Sequence, residues 1–431
     1  MAASPRPQRP RLLKEKYGGY YHSEVPQEDV ELTHVGPGTP CGEYLRRFWQ
    51  PVGYSHELAD LPIPLRILGE DLVLFRDGSG QIGLLEGHCA HRGTSLEYAR
   101  VEPRGIRCCY HGWHYDVDGT ILEQPGEPPG STFKDRFCHG AYPTREFAGL
   151  IFTYMGPSDK RPAFPIYDVY RAPNLRLEPG VKYVMPCNWL QVEENFMDPA
   201  HLLFLHTLNS GPQFNQAYAR LAMTEYQETP IGSMYVDTRR VGDNAWVRTA
   251  EQILPNLNQF PRVDEDGTQE KLRDLAIQFN WAVPVDDTHT LRLGYLLARA
   301  DDPRDWWAQS TQGRDLAQER PYEERQRRPG DYEAQVSQRP IAIHALEHLG
   351  ATDKGVTMFR KGVREGIDAV HRGVDPKGIV RDENAVIPTY TQQTVLRVLP
   401  AADPAADQEL LRRVGRRVAA GQYDLATVGA R

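Results

Sequence analysis

An α+β fold built from two antiparallel parts is what this sequence predicts, and three observations carry the prediction. From 52 to about 155 the chain runs in short alternating stretches cut by Gly, Pro and Asp. Residues 64–68, 71–76 and 82–86 are examples, the last two joined by the turn Asp77-Gly78-Ser79-Gly80; this is the pattern of short antiparallel strands. From 215 to 300 the alternating runs lengthen, as in residues 234–241 and 290–298, which suits a larger sheet. The longer helical periodicities fall at 188–208, 340–372 and 407–420.

The elements follow in order. Residues 1–30 are expected to form a mobile or partly ordered arm, because Pro5, Pro7 and Pro10 forbid regular structure. Residues 35–50 predict a turn and a short helix ending before Pro51. Residues 156–180 hold five prolines and suit a connection between domains. Residues 301–332 are polar and Arg-rich, as expected of a surface excursion. The chain is therefore divided into an arm at 1–34, a first domain at 35–165 and a second at 166–431. There is no internal repeat.

Composition narrows the function. The 431 residues are 40% hydrophobic and 25% charged, enough apolar material for real cores. A net charge of −8 argues against a phosphate-backbone binder, so no nucleic-acid partner is expected. The longest apolar stretch, residues 147–155, is too short to cross a bilayer. The N-terminus lacks the apolar core of a secretory signal, which places the expected compartment in the cytoplasm, away from membranes. In that compartment the six cysteines, Cys41, Cys89, Cys108, Cys109, Cys138 and Cys187, are expected as free thiols or metal ligands.

Residues 88–116 read HCAHRGTSLEYARVEPRGIRCCYHGWHYD. Cys89-x-His91 and Cys108-x-x-His111 are two mixed Cys/His pairs separated by sixteen residues. Two soft thiolates and two imidazoles suit zinc, or a 2Fe–2S cluster with thiolates on one iron and imidazoles on the other. Gly93 and Gly112 after the histidines favour the cluster, since they let backbone approach it without a Cβ. Tyr110, Trp113 and Tyr115 offer aromatic cover that a zinc ribbon does not need. Cys109 could replace Cys108 in an alternative register.

This C-x-H…C-x-x-H block, followed by YHGW and YD, resembles the cluster signature of the Rieske non-haem iron oxygenases. The resemblance assigns the cluster to Cys89, His91, Cys108 and His111. It leaves Cys109 as a buried bystander, and His88 and His114 as non-ligands.

Residues 188–206 read NWLQVEENFMDPAHLLFLH. Asp198 and His201 are three apart and share a helical face. His201 and His206 are five apart, about 140° around an ideal helix, so meeting one ion requires the helix to be distorted or ending there. Both histidines sit among Leu202, Leu203, Phe204 and Leu205, a setting that disfavours unpaired polar groups. The segment is similar to the E-N-x-x-D-x-x-H-x4-H block of the same family, which implies two ligands of a 2-His-1-carboxylate iron.

The third ligand must be a carboxylate far downstream, and spacing leaves Asp331, Glu333, Glu347, Asp382 and Glu383 open. The stretch GDYEAQVSQRPIAIHALEHLGATDKG resembles the phthalate-dioxygenase branch, which places the ligand at Asp331, with Asp382-Glu383 as the alternative. His344 and His348 have zinc-pair spacing but are expected as helix residues of the EHLG segment.

By the same resemblance, the first domain is mainly antiparallel β and the second a helix-grip fold, a curved antiparallel sheet covered by helices. The implied cofactors are a Rieske 2Fe–2S cluster and mononuclear Fe(II), with O2 as co-substrate. NADH electrons arrive through a separate reductase, and in some systems a ferredoxin, because this chain has no G-x-G-x-x-G of its own. The family implies a homotrimer in which Asp198 joins His201 to His111 of the next chain. The segments around Cys108 and Asp331 look most like oxygenases that demethylate lignin-derived biaryls such as dehydrodivanillate. Monooxygenation of an aromatic acid or methoxyarene is therefore expected, with cis-dihydroxylation as the alternative. A Rieske electron carrier without catalysis would need only the first motif.

Overall fold

The computed structural model describes residues 13–22, 25–173, 175–209, 216–263, 265–299 and 320–423. Its second part is a ten-stranded antiparallel sheet. The long strands are Gly232–Val241, Asn244–Ile253, Gln278–Asp286 and His289–Arg299, and Gln392–Arg397 pairs beside Asn244–Ile253. One face carries Val236, Val247 and Leu396, packed under Leu411 and Val414 of the helix Pro404–Ala419. The other face lies under the helix Trp189–Phe196. This is the mixed helix and antiparallel-sheet architecture expected from the sequence.

The first part is built from three small antiparallel sheets. One of them, the strand pairs among Arg100–Val101, Ile106–Arg107, His114–Tyr115 and Ile121–Glu123, presents the Cys/His segment. A tight turn joins this part to the large sheet: the Leu68 and Gly69 N–H groups donate to Pro284 O (2.8 Å) and Val285 O (2.9 Å). One apolar core continues across the junction through Leu72, Phe152, Trp281 and Tyr295.

Several expectations need correction. The segment 188–208 is not one helix; it runs as Trp189–Phe196, a break at Asp198-Pro199, a turn His201–Leu203 and a π-helical turn Phe204–Asn209. Pro199 disfavours helical backbone at the residue before it, so the break is local chemistry. The helix expected over 340–372 spans only Lys354–His371, and His344 sits in a 3₁₀ turn instead. Periodicity misled here because Pro340 and Gly350 interrupt the backbone while the apolar spacing continues. The arm is anchored from residue 25 onward: Leu32 is fully buried, and its carbonyl accepts the Trp189 indole N–H at 3.2 Å. Pro5, Pro7, Pro10 and residues 301–319 lie outside the described residues. The proline-rich connection contains the strand Leu175–Pro179, which pairs with His289–Arg299. No helix among the described residues is long and apolar enough to cross a membrane.

Candidate functional site

The two Cys/His segments fold as a matched pair of loops. In the first, Cys89 N donates to Thr94 O (2.9 Å) and Gly93 N to Cys89 O (2.8 Å). In the second, Cys108 N donates to Trp113 O (2.8 Å) and Gly112 N to Cys108 O (3.2 Å). Each loop closes over the same five residues, and each needs a left-handed residue to do so: Gly93 has φ +73 and Gly112 φ +74. The glycines are thus required by backbone conformation; nothing stands within 4 Å of a Cβ at Gly93.

Both cysteines are buried, and both imidazoles are exposed at the loop tips. The His91 and His111 rings meet edge to face at 4.5 Å, and Trp113 stacks on His91 at 4.8 Å. The Tyr115 hydroxyl lies 3.0 Å from the Cys89 sulfur, and burial pushes that phenol well above its ordinary range, so it stays protonated. Two adjacent buried thiols with two touching imidazoles form a mixed donor set that fits a 2Fe–2S cluster. His114 points away and donates from Nε2 to Arg104 O (2.5 Å), and His88 pairs with Glu86. Cys109 is exposed, not buried, because the chain turns outward between Cys108 and Tyr110 at the loop tip.

Two supports of this region are not obvious in the sequence. Arg107 donates to Gly112 O (2.9 Å) and to Glu102 (2.9 Å), bracing the second loop. His139 is buried with its ring 4.5 Å from Tyr115, and its Nε2 donates to Glu86 O at 2.9 Å. Burial lowers its pKa, so it stays neutral.

The second constellation assembles from three backbone pieces. His201 and His206 lie on either side of the switch from α to π winding, and their rings are 5.2 Å apart. A π turn adds one residue per repeat, which brings positions five apart toward one side. Asp331 opens the short helix Asp331–Val336. That helix is fastened to Trp189–Phe196 by Gln191, whose side-chain amide donates to Gln335 O (2.8 Å) and Arg339 O (3.0 Å). Asp331 Oδ1 is 3.1 Å from His206 Nε2 and 3.6 Å from His201 Nε2, and it accepts from Asn195 Nδ2 at 3.1 Å.

One donor atom from each of His201, His206 and Asp331 lies within 4.8 Å of the others. Burial works to raise the Asp331 carboxyl, but the hydrogen bond from His206 and the charges of His201 and His206 outweigh it and hold the group well below the usual carboxylate range. Two imidazoles and one carboxylate converging in this way fit a divalent iron with open positions.

Asp198 differs in detail from expectation. The nitrogen of His201 that faces it, Nδ1, donates to the main-chain carbonyl of Asp198; the carboxylate Oδ2 stands 3.8 Å away. A carbonyl only accepts, so His201 carries its proton on Nδ1 and leaves Nε2 toward Asp331. The Asp198 carboxylate instead accepts the Ala200 N–H at 3.0 Å.

The alternatives for the third ligand lie elsewhere. Asp382 and Glu383 are exposed in a turn where Asp382 accepts from Asn384 N (2.9 Å), and Glu333 pairs with Arg320 and Arg325. Glu347 forms a second acidic group with Glu194 and His344. The cation position in that group is filled by the Arg360 guanidinium, 2.5 Å from Glu194 and 2.6 Å from Glu347.

A mixed Cys/His loop pair and a 2-His-1-carboxylate group on one chain are the two redox stations of an oxygenase that takes up electrons one at a time. Comparison with known proteins agrees. A model of the Rieske [2Fe-2S] domain matches residues 48–137. The chain is 40% identical over 432 aligned positions to the tert-butanol monooxygenase / tert-amyl alcohol desaturase oxygenase subunit of Aquincola tertiaricarbonis, covering 93% of this chain and 90% of that protein. It is 38% identical to the phenoxybenzoate dioxygenase subunit alpha of Ectopseudomonas oleovorans, covering 85% and 92%. It is 32% identical to the 5,5'-dehydrodivanillate O-demethylase oxygenase subunit of a Sphingobium strain, covering 85% and 86%. Among solved structures, NdmA of Pseudomonas putida CBB5 bound to caffeine (a QL mutant) superposes with a TM-score of 0.61 at 22% identity, covering 80% of this chain and 99% of that one. The chain belongs to the Rieske non-haem iron oxygenases, as the oxygenase subunit of a multicomponent system.

Proposed function

We propose that this subunit carries out O2-dependent monooxygenation of an aromatic acid or methoxyarene, by O-demethylation or by hydroxylation at a single position. Cys89, Cys108, His91 and His111 hold the 2Fe–2S cluster, and His201, His206 and Asp331 hold the mononuclear iron. When bound, these groups supply single-electron storage and a site for dioxygen activation. The chain's residues set the conditions. The Asp198 carbonyl fixes the His201 tautomer, and Asn195 steadies the Asp331 carboxylate. Leu202 packs on Tyr218 and Trp246 beside the histidines and fixes the segment that carries them.

The observation that carries this reading is the pairing of both donor sets in one chain, with two aromatic-substrate relatives at 38% and 32% identity over most of its length. Electrons originate from NADH through a separate reductase or a ferredoxin, and the working assembly is a homotrimer. In the demethylation case one oxygen atom enters the methyl group, which leaves as formaldehyde. The other atom becomes water, and NADH supplies the two electrons.

The test is turnover of a panel of methoxylated aromatic acids with NADH and a surrogate reductase. Formaldehyde formed in step with NADH oxidation is the expected result. A cis-dihydrodiol as the sole product would favour ring dihydroxylation instead. The relative at 40% identity, named for tert-butanol, supports a second reading, oxidation of a small tertiary alcohol; tert-butanol turnover with no reaction on any aromatic acid would select it.

A further inference from the structure

The first cluster loop belongs to a closed circuit of contacts that runs through a histidine neither donor set uses. His139 is 5% exposed. Its Nε2 donates to Glu86 O at 2.9 Å, and its ring lies 4.5 Å from the Tyr115 ring. Glu86 ends the strand Ile82–Glu86, three residues before Cys89, and its own N–H donates to Gly140 O at 2.9 Å. The His139 N–H is fixed in turn to Gly119 O at 2.8 Å. The imidazole is thus held at its backbone and at its far nitrogen. Tyr115 completes the circuit, with its hydroxyl 3.0 Å from the Cys89 sulfur.

That hydroxyl is only as well placed as the ring that carries it. Tyr115 lies on the two-residue strand His114–Tyr115, and the pairing of this strand with Ile121–Glu123 shifts register between its two residues. An irregular ladder of two residues fixes a side chain poorly, so the packing around the ring must do the rest. Trp113 stands 6.5 Å from the Tyr115 ring, and the closer ring is that of His139. A plain apolar side chain at 139 could fill the same space, but nothing would fasten it to Glu86. The bond to Glu86 O ties the support of Tyr115 to the strand that leads into Cys89, so donor and acceptor are referred to one rigid base.

A cysteine sulfur that holds iron is a thiolate and can only accept, which makes the Tyr115 phenol the donor. A hydrogen bond to a cluster sulfur favours the reduced, more negative form over the oxidised one and raises the reduction potential. We infer that His139 is a positioning residue for electron uptake: fastened to Glu86, it holds Tyr115 so that the hydroxyl meets the Cys89 sulfur, and it thereby makes the cluster easier to reduce. This rests on the assignment of the cluster to Cys89, His91, Cys108 and His111.

The test is a redox titration of the purified holoprotein at neutral pH, followed by EPR. In His139→Gln the amide can still donate to Glu86 O, but the ring against Tyr115 is gone. The equilibrium for reduction should fall by about 10-fold, which is a midpoint about 59 mV lower for a one-electron couple. Tyr115→Phe, which removes the hydroxyl itself, should fall by at least as much. On the Tyr115→Phe background His139→Gln should add nothing, since both act through one bond. His139→Phe keeps a ring but loses its hold on Glu86, and should lie between, at about a 3-fold loss. An unchanged midpoint in His139→Gln, or a shift of the same size with and without the Tyr115 hydroxyl, would overturn the inference. Should His139→Gln not assemble its cluster, His139→Phe decides, and an unchanged midpoint there, or a shift that survives Tyr115→Phe, has the same force. Failure of the parent reading looks different: a wild type with no Rieske-type signal removes the cluster and the inference together.

Discussion

Asp331→Ala should abolish turnover while leaving the cluster spectrum intact. The structure gives the reason for both halves. Asp331 Oδ1 is the atom on which His206, His201 and Asn195 converge, so removing it takes away the only carboxylate donor of the group. The two remaining imidazoles are a poor site for a hard divalent cation. The cluster loops close through their own backbone bonds and through Arg107 and Tyr115, none of which touches Asp331. Metal analysis should therefore fall from about three irons per chain to about two, with the reduced Rieske-type EPR signal unchanged. Turnover should drop by at least 10³-fold, because a missing ligand removes the reaction site rather than weakening it. Asp382→Ala and Glu383→Ala, in their exposed turn, should stay active. An active Asp331→Ala beside a dead Asp382→Ala or Glu383→Ala would move the third ligand.

Asp198→Asn should leave both metal centres loaded and stop electron transfer between them. A carboxylate beside a ligand histidine ordinarily serves to orient the ring. Here that work is done by the Asp198 main chain, which the substitution does not alter. The carboxylate is about one-third exposed and sits at the mouth of the histidine segment. Burial pushes its carboxyl above the usual range, the largest of several influences on it. In the proposed trimer it accepts a hydrogen bond from the exposed His111 of a neighbouring chain. The amide keeps the size and loses the charge, so single-turnover reduction of the iron from a reduced cluster should slow by about 10- to 100-fold. Loss of mononuclear iron, with activity restored by added ferrous iron, would show that the carboxylate only orients His201. A fully active monomer would exclude the bridge altogether.

Much of the site is legible in the sequence where ligands are close in the chain. Cys89 and His91, Cys108 and His111, and Asp198, His201 and His206 each lie within a few residues of one another, so spacing alone constrains their geometry. Asp331 is different. It reaches His206 across 125 residues, and what delivers it is Gln191 gripping the carbonyls of Gln335 and Arg339. No local period records such a contact. The false helix over 340–353 has the opposite cause. Apolar spacing was present, but Pro340 and Gly350 decided the backbone. The distortion between His201 and His206 was foreseeable from their five-residue spacing; its form, a proline break followed by π winding, was not.

The strap formed by residues 25–34 has a consequence for how the protein is made. Leu32 and Thr33 carbonyls accept from Trp189 and Asn188, and Asp29 and Glu31 pair with Arg364, some 335 and 333 residues further along. As the chain is made, the strap meets Asn188 and Trp189 about 155 residues on but waits more than 330 residues for Arg364. The small sheets around the cluster loops close over short sequence distances and can fold first, on the emerging chain. The helix Trp189–Phe196 likewise gains Phe359 and Arg360 as neighbours only after some 170 further residues. The segment of the cluster loops can therefore reach its fold while the segment that holds His201 and His206 still lacks these later neighbours.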